Sequence, residues 1–277
     1  MDYPANQFVD DLNLFLGNDK SNHKYERALH KGIKSENINF CKTLLNDAFI
    51  KDIDYEYNDL TPLMLASQFA YPELVEKIIK MGVTIDKVNP AGYTALHLAI
   101  SYGNYDNVNI LINNGANINV YQPISKQTAL IYAINTKNTS IIKLLIDKGA
   151  HVNAENQYGD TALLLAAIWD TPEHLKILIE NGADIYHNNH DGYTALYLAK
   201  VYRCTENVKI LEDAEKKIQS EMKKIPEIEI QEDDKICCYG KDCLNFKKGI
   251  CTLEHKENCA YAEKCLNYAK GRCPLHH

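Results

Sequence analysis

Apolar residues fall at helical spacing in short bursts along most of the chain, as with Val108, Leu111 and Ile112, or Ile142, Leu145 and Ile146. Spacing of three and four places such residues on one face of a helix. The bursts recur on a fixed beat: "TPLMLA" at 61–66, "TALHLA" at 94–99, "TALIYA" at 128–133, "TALLLA" at 161–166 and "TALYLA" at 194–199 follow at steps of 33, 34, 33 and 33. A second marker keeps the same time, with Gly82, Gly115, Gly149 and Gly182 in segments such as "LINNGANIN" and "LIENGADIY". Each glycine closes an apolar run, where a helix end favours a residue able to take positive φ. The pattern predicts a tandem array of short helices rather than one mixed core.

The two markers in shared register resemble ankyrin repeats, over about residues 23–217. The resemblance implies a mostly α fold in which each unit is a helix-turn-helix pair plus a β-hairpin, stacked as a curved solenoid with a concave face free to bind. About six units are expected. The first, around "RALHKGI" (27–33) and "CKTLLNDAFI" (41–50), is degenerate, and the last, "ENVKILEDAEKKIQ", loses the Gly-Ala ending and turns charged as a cap. Residues 1–22 stand outside the array as an N-terminal segment. The third hairpin, "VYQPISKQ", carries one extra residue and no glycine.

Ankyrin proteins commonly contact partners through hairpin tips and the end of the first helix. Eight residues after each marker threonine stand Phe69, Tyr102, Thr136, Trp169 and Tyr202; immediately before the threonines stand Leu60, Tyr93, Gln127, Asp160 and Tyr193. Aromatic anchors among polar neighbours are what interface hot spots are made of. Phe69, Tyr93, Tyr102, Trp169, Tyr193 and Tyr202 are therefore the expected contacts for a protein partner. The competing expectation is that these rings pack as core between units. His97 is expected to hydrogen-bond between neighbouring loops, and Cys41 and Cys204 to be small buried apolar residues.

Composition changes the picture only at the C-terminal end. The chain has 277 residues and a net charge of −7, so no global basic field draws it to nucleic acid. Its acidic opening, "MDYPANQFVDDLNLFLGND", lacks a basic stretch ahead of an apolar one, and no apolar run approaches the roughly 20 residues of a membrane helix. A soluble intracellular protein is expected, with no membrane contact and no small-molecule substrate. Nine cysteines are present, and seven of them crowd residues 237–277. In a reducing compartment such a cluster points to metal rather than to disulfides.

Residues 218–236 read as a linker, charged, broken at Pro226 and then acidic. Beyond it the chain writes one pattern twice. Cys237, Cys243, Cys251 and His255 have the spacing C-x5-C-x7-C-x3-H, and Cys259, Cys265, Cys273 and His277 repeat it. Three thiolates and an imidazole match the closed tetrahedral shell of structural zinc, so two Zn²⁺ ions are expected. Cys238 and His276 remain alternative ligands; matching Tyr239 to Tyr261 and the Cys251–His255 spacing to its copy favours Cys237 and His277.

The two segments, 237–255 and 259–277, look like a tandem pair of CCCH zinc fingers, a family whose best-known members bind single-stranded RNA. Seven residues between the second and third cysteines is longer than is usual there. Tyr239, Phe246 and Lys248, with their copies Tyr261, Tyr268 and Lys270, are expected to face RNA, since an aromatic beside a lysine suits base stacking with a phosphate contact. The rival expectation is a protein-only scaffold in which the fingers dock a second protein. An enzyme is not expected: there is no phosphate-cradling glycine motif, no open metal site and no nucleophile–base pair.

Overall fold

The computed structural model describes residues 3–46, 49–169 and 171–223, together with 236–237 and 254–255. Two compact units divide the chain, Met1–Gln219 and Ser220–His277. The first begins with a helix, α1 (Ala5–Leu16), followed by six helix pairs: α2 (Lys24–Lys34) with α3 (Ile38–Leu44), α4 (Pro62–Gln68) with α5 (Pro72–Lys80), α6 (Ala95–Ser101) with α7 (Tyr105–Asn113), α8 (Ala129–Thr136) with α9 (Thr139–Asp147), α10 (Ala162–Ile168) with α11 (Pro172–Glu180), and α12 (Ala195–Val201) with α13 (Thr205–Lys223). First helices pack on first helices and second helices on second helices, giving two layers. No described helix is long and apolar enough to cross a membrane.

The marker threonines are helix N-caps. Thr61, Thr94, Thr128 and Thr194 each accept, through the side-chain hydroxyl, the backbone N–H three residues on, satisfying one of the donors a helix leaves unpaired. The leucines and alanines that follow are buried: Leu63, Leu96, Leu130 and Leu163, with Ala66, Ala99, Ala133 and Ala166, form one continuous core running through every unit. Gly82, Gly115, Gly149 and Gly182 take positive φ just past the second helices, as their spacing implied.

Two features depart from the sequence reading, and a third completes it. The first 22 residues include α1, whose Phe8 and Phe15 lie against Phe40 with ring centroids 5.5 and 4.9 Å apart, and whose Asp11 accepts from Asn37 Nδ2 at 2.9 Å. It covers the start of the array. Among the described residues the hairpins of the array form only single antiparallel bridges, Tyr57–Leu60, Tyr121–Thr128 and Glu155–Thr161. Elsewhere an asparagine side chain takes one of the two cross-strand bonds: Asn89 and Asn189 donate their backbone N–H to Tyr93 O and Tyr193 O at 3.0 and 3.1 Å, while Asn89 Oδ1 accepts from Tyr93 N at 2.9 Å and Asn189 Oδ1 from Tyr193 N at 3.0 Å. The long third hairpin closes without glycine, with Lys126 at φ 52° and Gln122 Oε1 accepting from Ser125 Oγ at 2.7 Å.

Hairpins touch their neighbours closely. Gln157 N–H donates to Ser125 O at 2.9 Å and His190 N–H to Tyr158 O at 3.0 Å. Gly159 is required there, since a Cβ would stand 2.8 Å from His190 N at a backbone φ of +75°. The array ends asymmetrically. Met64, His97, Ile131 and Leu164, third in successive first helices, are buried. Tyr197, in the same place on α12, is exposed and stacked on Tyr193, with centroids 4.7 Å apart, and Val201 beside it is also exposed.

His97 completes a capping box, with Thr94 N–H donating to its Nδ1 at 3.2 Å and Thr94 Oγ1 accepting its backbone N–H at 3.4 Å, and its ring also interacts with the Val120 backbone of the neighbouring hairpin, as its position implied. Burial pushes its imidazole down to about 4, and pushes His30 and His174 down as well. With the folded value below the unfolded one, the unfolded chain binds more protons in between. Stability is therefore complete above about pH 6.5 and is lost as the pH falls toward 4. His97 alone contributes on the order of 3 kcal/mol to that loss. Denaturation midpoints measured from pH 7 down to 4.5 should fall steadily, and a His97→Gln chain, which keeps the capping box, should show a smaller fall.

In the second unit the described residues show β1 (Ile236–Cys237) paired in parallel with β2 (Glu254–His255), in the register Ile236 to Glu254 and Cys237 to His255.

Candidate protein-binding surface

The first helices stand side by side, with hairpins at their N-terminal ends and short turns at their C-terminal ends. Those turns are held by the following unit. Asn104 Nδ2 donates to Ser67 O and Gln68 O, both at 2.8 Å, and the buried Asn107 Nδ2 donates to Ser67 O at 3.0 Å. Asn207 repeats the arrangement on Ala166 O and Ala167 O, at 3.2 and 3.0 Å. Each side chain satisfies helix-end carbonyls of the preceding unit and so fixes where the residues at that end point.

Three of the expected rings occupy this edge and are open to solvent: Tyr102 is 57% exposed, Trp169 49% and Tyr202 58%. They are C-caps of α6, α10 and α12. Two of them reach back one unit. Gln68 Nε2 donates to the Tyr102 hydroxyl at 2.7 Å, and the Lys137 ammonium lies 5.8 Å from the Trp169 ring centroid, within cation–π range. The rings are thus steadied without being covered.

The remaining expected residues are placed differently. Phe69 is half-buried against the core and stacked 6.2 Å from Tyr71. Tyr93 is half-buried in a cluster with His97 and Tyr132, at 6.2 and 5.9 Å, where burial and the Tyr93 hydroxyl push the Tyr132 phenol up. Tyr193 is exposed, but at the end of the array. Sequence reasoning passed over Tyr121, Ile124 and Tyr158, all exposed in the third and fourth hairpins. The extra residue of the third hairpin was the available signal, since an insertion at a tip pushes side chains outward.

Among the described residues no group of three or more His, Cys, Asp or Glu is placed to hold a metal. Of the expected zinc ligands, Cys243, Cys251, Cys259, Cys265, Cys273 and His277 lie outside the described residues, as do Tyr239, Phe246, Lys248, Tyr261, Tyr268 and Lys270. The backbones of Cys237 and His255 alone are described, opposite one another in the β1–β2 pair.

Comparison with known proteins agrees with the helix-pair architecture. The model for "Ankyrin repeats (3 copies)" matches residues 29–122, 121–189 and 155–222. A putative ankyrin repeat protein of fowlpox virus, FPV031, is 38% identical over 88 residues, which is 31% of this chain and 22% of the relative. Neurogenic locus notch homolog protein 1 of Mus musculus is 31% identical over 90 residues, 32% of this chain and 4% of the relative. The chain therefore matches a minor part of either protein. Among solved structures, a chain in the complex of the Bd0816 predatory endopeptidase from Bdellovibrio bacteriovorus with immunity protein Bd3460 superposes with a TM-score of 0.61 at 28% identity, covering 67% of this chain and 96% of that one. With both repeat markers, the paired-helix layers and a family match over most of its length, the chain belongs to the ankyrin-repeat family.

Proposed function

We propose that the protein is a non-enzymatic intracellular adaptor: its repeats grip a protein partner, and its C-terminal segment, folded around two zinc ions, contacts single-stranded RNA. The observation that carries the first half is the exposure of Tyr102, Trp169 and Tyr202 at one repeated position. Large rings held on a rigid scaffold lose little side-chain freedom when a partner covers them. A Trp169→Ala, Tyr102→Ala chain that retained the same proteins as the wild type would refute this half.

The zinc half rests on the donor set. Each copy of the doubled ending offers three thiolates and one imidazole, which suits structural zinc with no position left open for a reactive water. Cys237, Cys243, Cys251 and His255 hold one ion, and Cys259, Cys265, Cys273 and His277 the other. The β1–β2 register, which pairs Cys237 with His255, favours the first set. Metal of this kind supplies folding free energy to segments too small to bury a core.

The RNA contact rests on residues the metal does not need. Tyr239, Phe246 and Lys248 recur as Tyr261, Tyr268 and Lys270. Residues 237–277 carry seven Lys/Arg and four Asp/Glu. After two zinc ions and six thiolates are counted, only about one positive charge remains. That weak charge favours a second reading, in which the fingers dock protein alone. Titrating the zinc-loaded full chain with short homopolymer RNAs separates the two. Stacking predicts binding that weakens by about 1–3 kcal/mol for each of Phe246→Ala and Tyr268→Ala, with a shallow salt slope. No RNA binding would leave the protein-only reading.

A further inference from the structure

Charge is distributed unevenly over the repeats. The five hairpin stretches 51–60, 84–93, 117–127, 151–160 and 184–193 hold nine carboxylates and three lysines, a balance of −6 in a chain whose whole net charge is −7. Part of it is paired within the repeats, with Lys87 on Glu56 at 2.9 Å and His187 3.8 Å from Glu155, but the architecture does not require the rest. Asp54 accepts the Thr84 N–H at 3.0 Å and Asp86 the Asn117 N–H at 3.0 Å. Two hairpins further on, Asn119 and Asn153 accept the His151 and Asp184 N–H groups in the same way, at 2.8 and 2.9 Å. An amide serves as well as a carboxylate there, so the charge at the first two positions is surplus to folding. Asp59 and Asp191 are exposed in the outermost hairpins and accept none of the hydrogen bonds that shape them.

Between these acidic flanks the surface changes character. Tyr121, Ile124 and Tyr158 are exposed in the third and fourth hairpins, which the Gln157–Ser125 backbone bond joins into one rigid platform. Ile124, at 74%, is among the most exposed apolar side chains described. At the opposite edge of the same face, at the helix C-termini, the Lys137 ammonium lies by Trp169. An apolar centre with charged surroundings is the anatomy of a recognition surface, and its sign selects the partner.

We infer that the occupant of the hairpin edge is a protein segment with an apolar centre flanked on both sides by lysine or arginine. Its centre rests on Tyr121, Ile124 and Tyr158, and its basic flanks meet the first hairpin, which nets −3, and the last, which nets −2. The inference rests on the adaptor reading and adds the chemistry of the partner to it. Nucleic acid is disfavoured at this edge, since a phosphate backbone would meet like charge.

Two short fluorescein-labelled peptides with the same leucine–phenylalanine centre test this, one flanked by lysines and one by glutamates, titrated by anisotropy against the full zinc-loaded chain. The lysine peptide should bind at least about tenfold more tightly at low salt, with the difference shrinking as added salt screens it. A chain carrying Asp59→Asn, Asp86→Asn, Glu155→Gln and Asp191→Asn keeps the hydrogen-bonding shapes and should lose the preference. Tyr121→Ser with Ile124→Ser should weaken the lysine peptide while leaving the charge preference in place. Equal affinity for both peptides, no binding of the lysine peptide, or a preference that survives the amide substitutions would overturn the inference. If that happens while Trp169 and Tyr102 still govern capture of a partner, the adaptor reading stands and only the partner's chemistry is wrong.

Discussion

Removing zinc from the purified chain should release two ions and raise the reactive thiols from one to seven, while the repeats keep their melting temperature. With the ligands proposed above, six of the cysteines between 237 and 277 would be metal thiolates in the loaded state, and Cys238 alone would react with a thiol reagent. After chelation all seven react. Cys41 and Cys204 stay silent in both states, because they are buried in the core and burial pushes the Cys41 thiol up to about 12. A structural zinc ion contributes on the order of 10–16 kcal/mol to a finger-sized fold, far more than a segment of this length obtains from packing. The effect should therefore be all-or-none: circular dichroism of the tail is lost and that of the helices is kept. A purified chain without two equivalents of zinc, or one whose seven thiols react at the same rate before chelation, would sink the assignment of the eight ligands.

The second large effect concerns the exposed rings. Replacing Trp169 and Tyr102 together by alanine should cut capture of the partner by roughly a hundredfold or more, since hot-spot aromatics cost about 2 kcal/mol or more each when truncated. Stability should scarcely change. Each ring is about half exposed, and the specific contacts it gives up are the Lys137 cation over Trp169 and the Gln68 amide on the Tyr102 hydroxyl. Together these contribute about 1–2 kcal/mol at most. Phe69→Ala is the informative control. Phe69 packs against the core, so its loss should lower the melting temperature and affect capture less. A Trp169/Tyr102 chain that melts many degrees lower would instead mark those rings as part of the core. Trp169 is the single tryptophan, so its fluorescence reports occupancy of this edge directly.

The repeat register was legible in the sequence because two of its positions have narrow chemical requirements. A helix start wants a hydroxyl that can accept an N–H, and the end of the second helix wants a residue at ease with positive φ; threonine and glycine mark these every 33 or 34 residues. Solvent exposure was less legible. Tyr93 and Tyr102 look alike in the sequence, yet Tyr93 is half covered by Tyr132, a residue 39 positions away in the next unit. Such burial is non-local and leaves no local mark. Helix α1 was missed because Phe8, Leu12 and Phe15 form a single weak stripe outside the repeat beat. It packs on α2 and on Phe40, which lies one helix further on. The hairpins were read as β-structure by family likeness, but in two of them an asparagine side chain takes one of the paired cross-strand bonds and leaves a single backbone bond, too little for a regular ladder.

The two ends of the array differ in a way that bears on how the grip is released. Helix α1 roofs the first unit, whereas Tyr197 of the last is exposed at a position that is buried in the four units before it. In a linear stack each unit is held mainly by its neighbours, so heat or tension should peel the array from its last unit, one unit at a time. Tyr202 would let go first, while Trp169 and Tyr102 still stood on intact turns. Hold on a partner would then loosen by steps, like a ratchet paying out tooth by tooth, well before the remaining helices came apart.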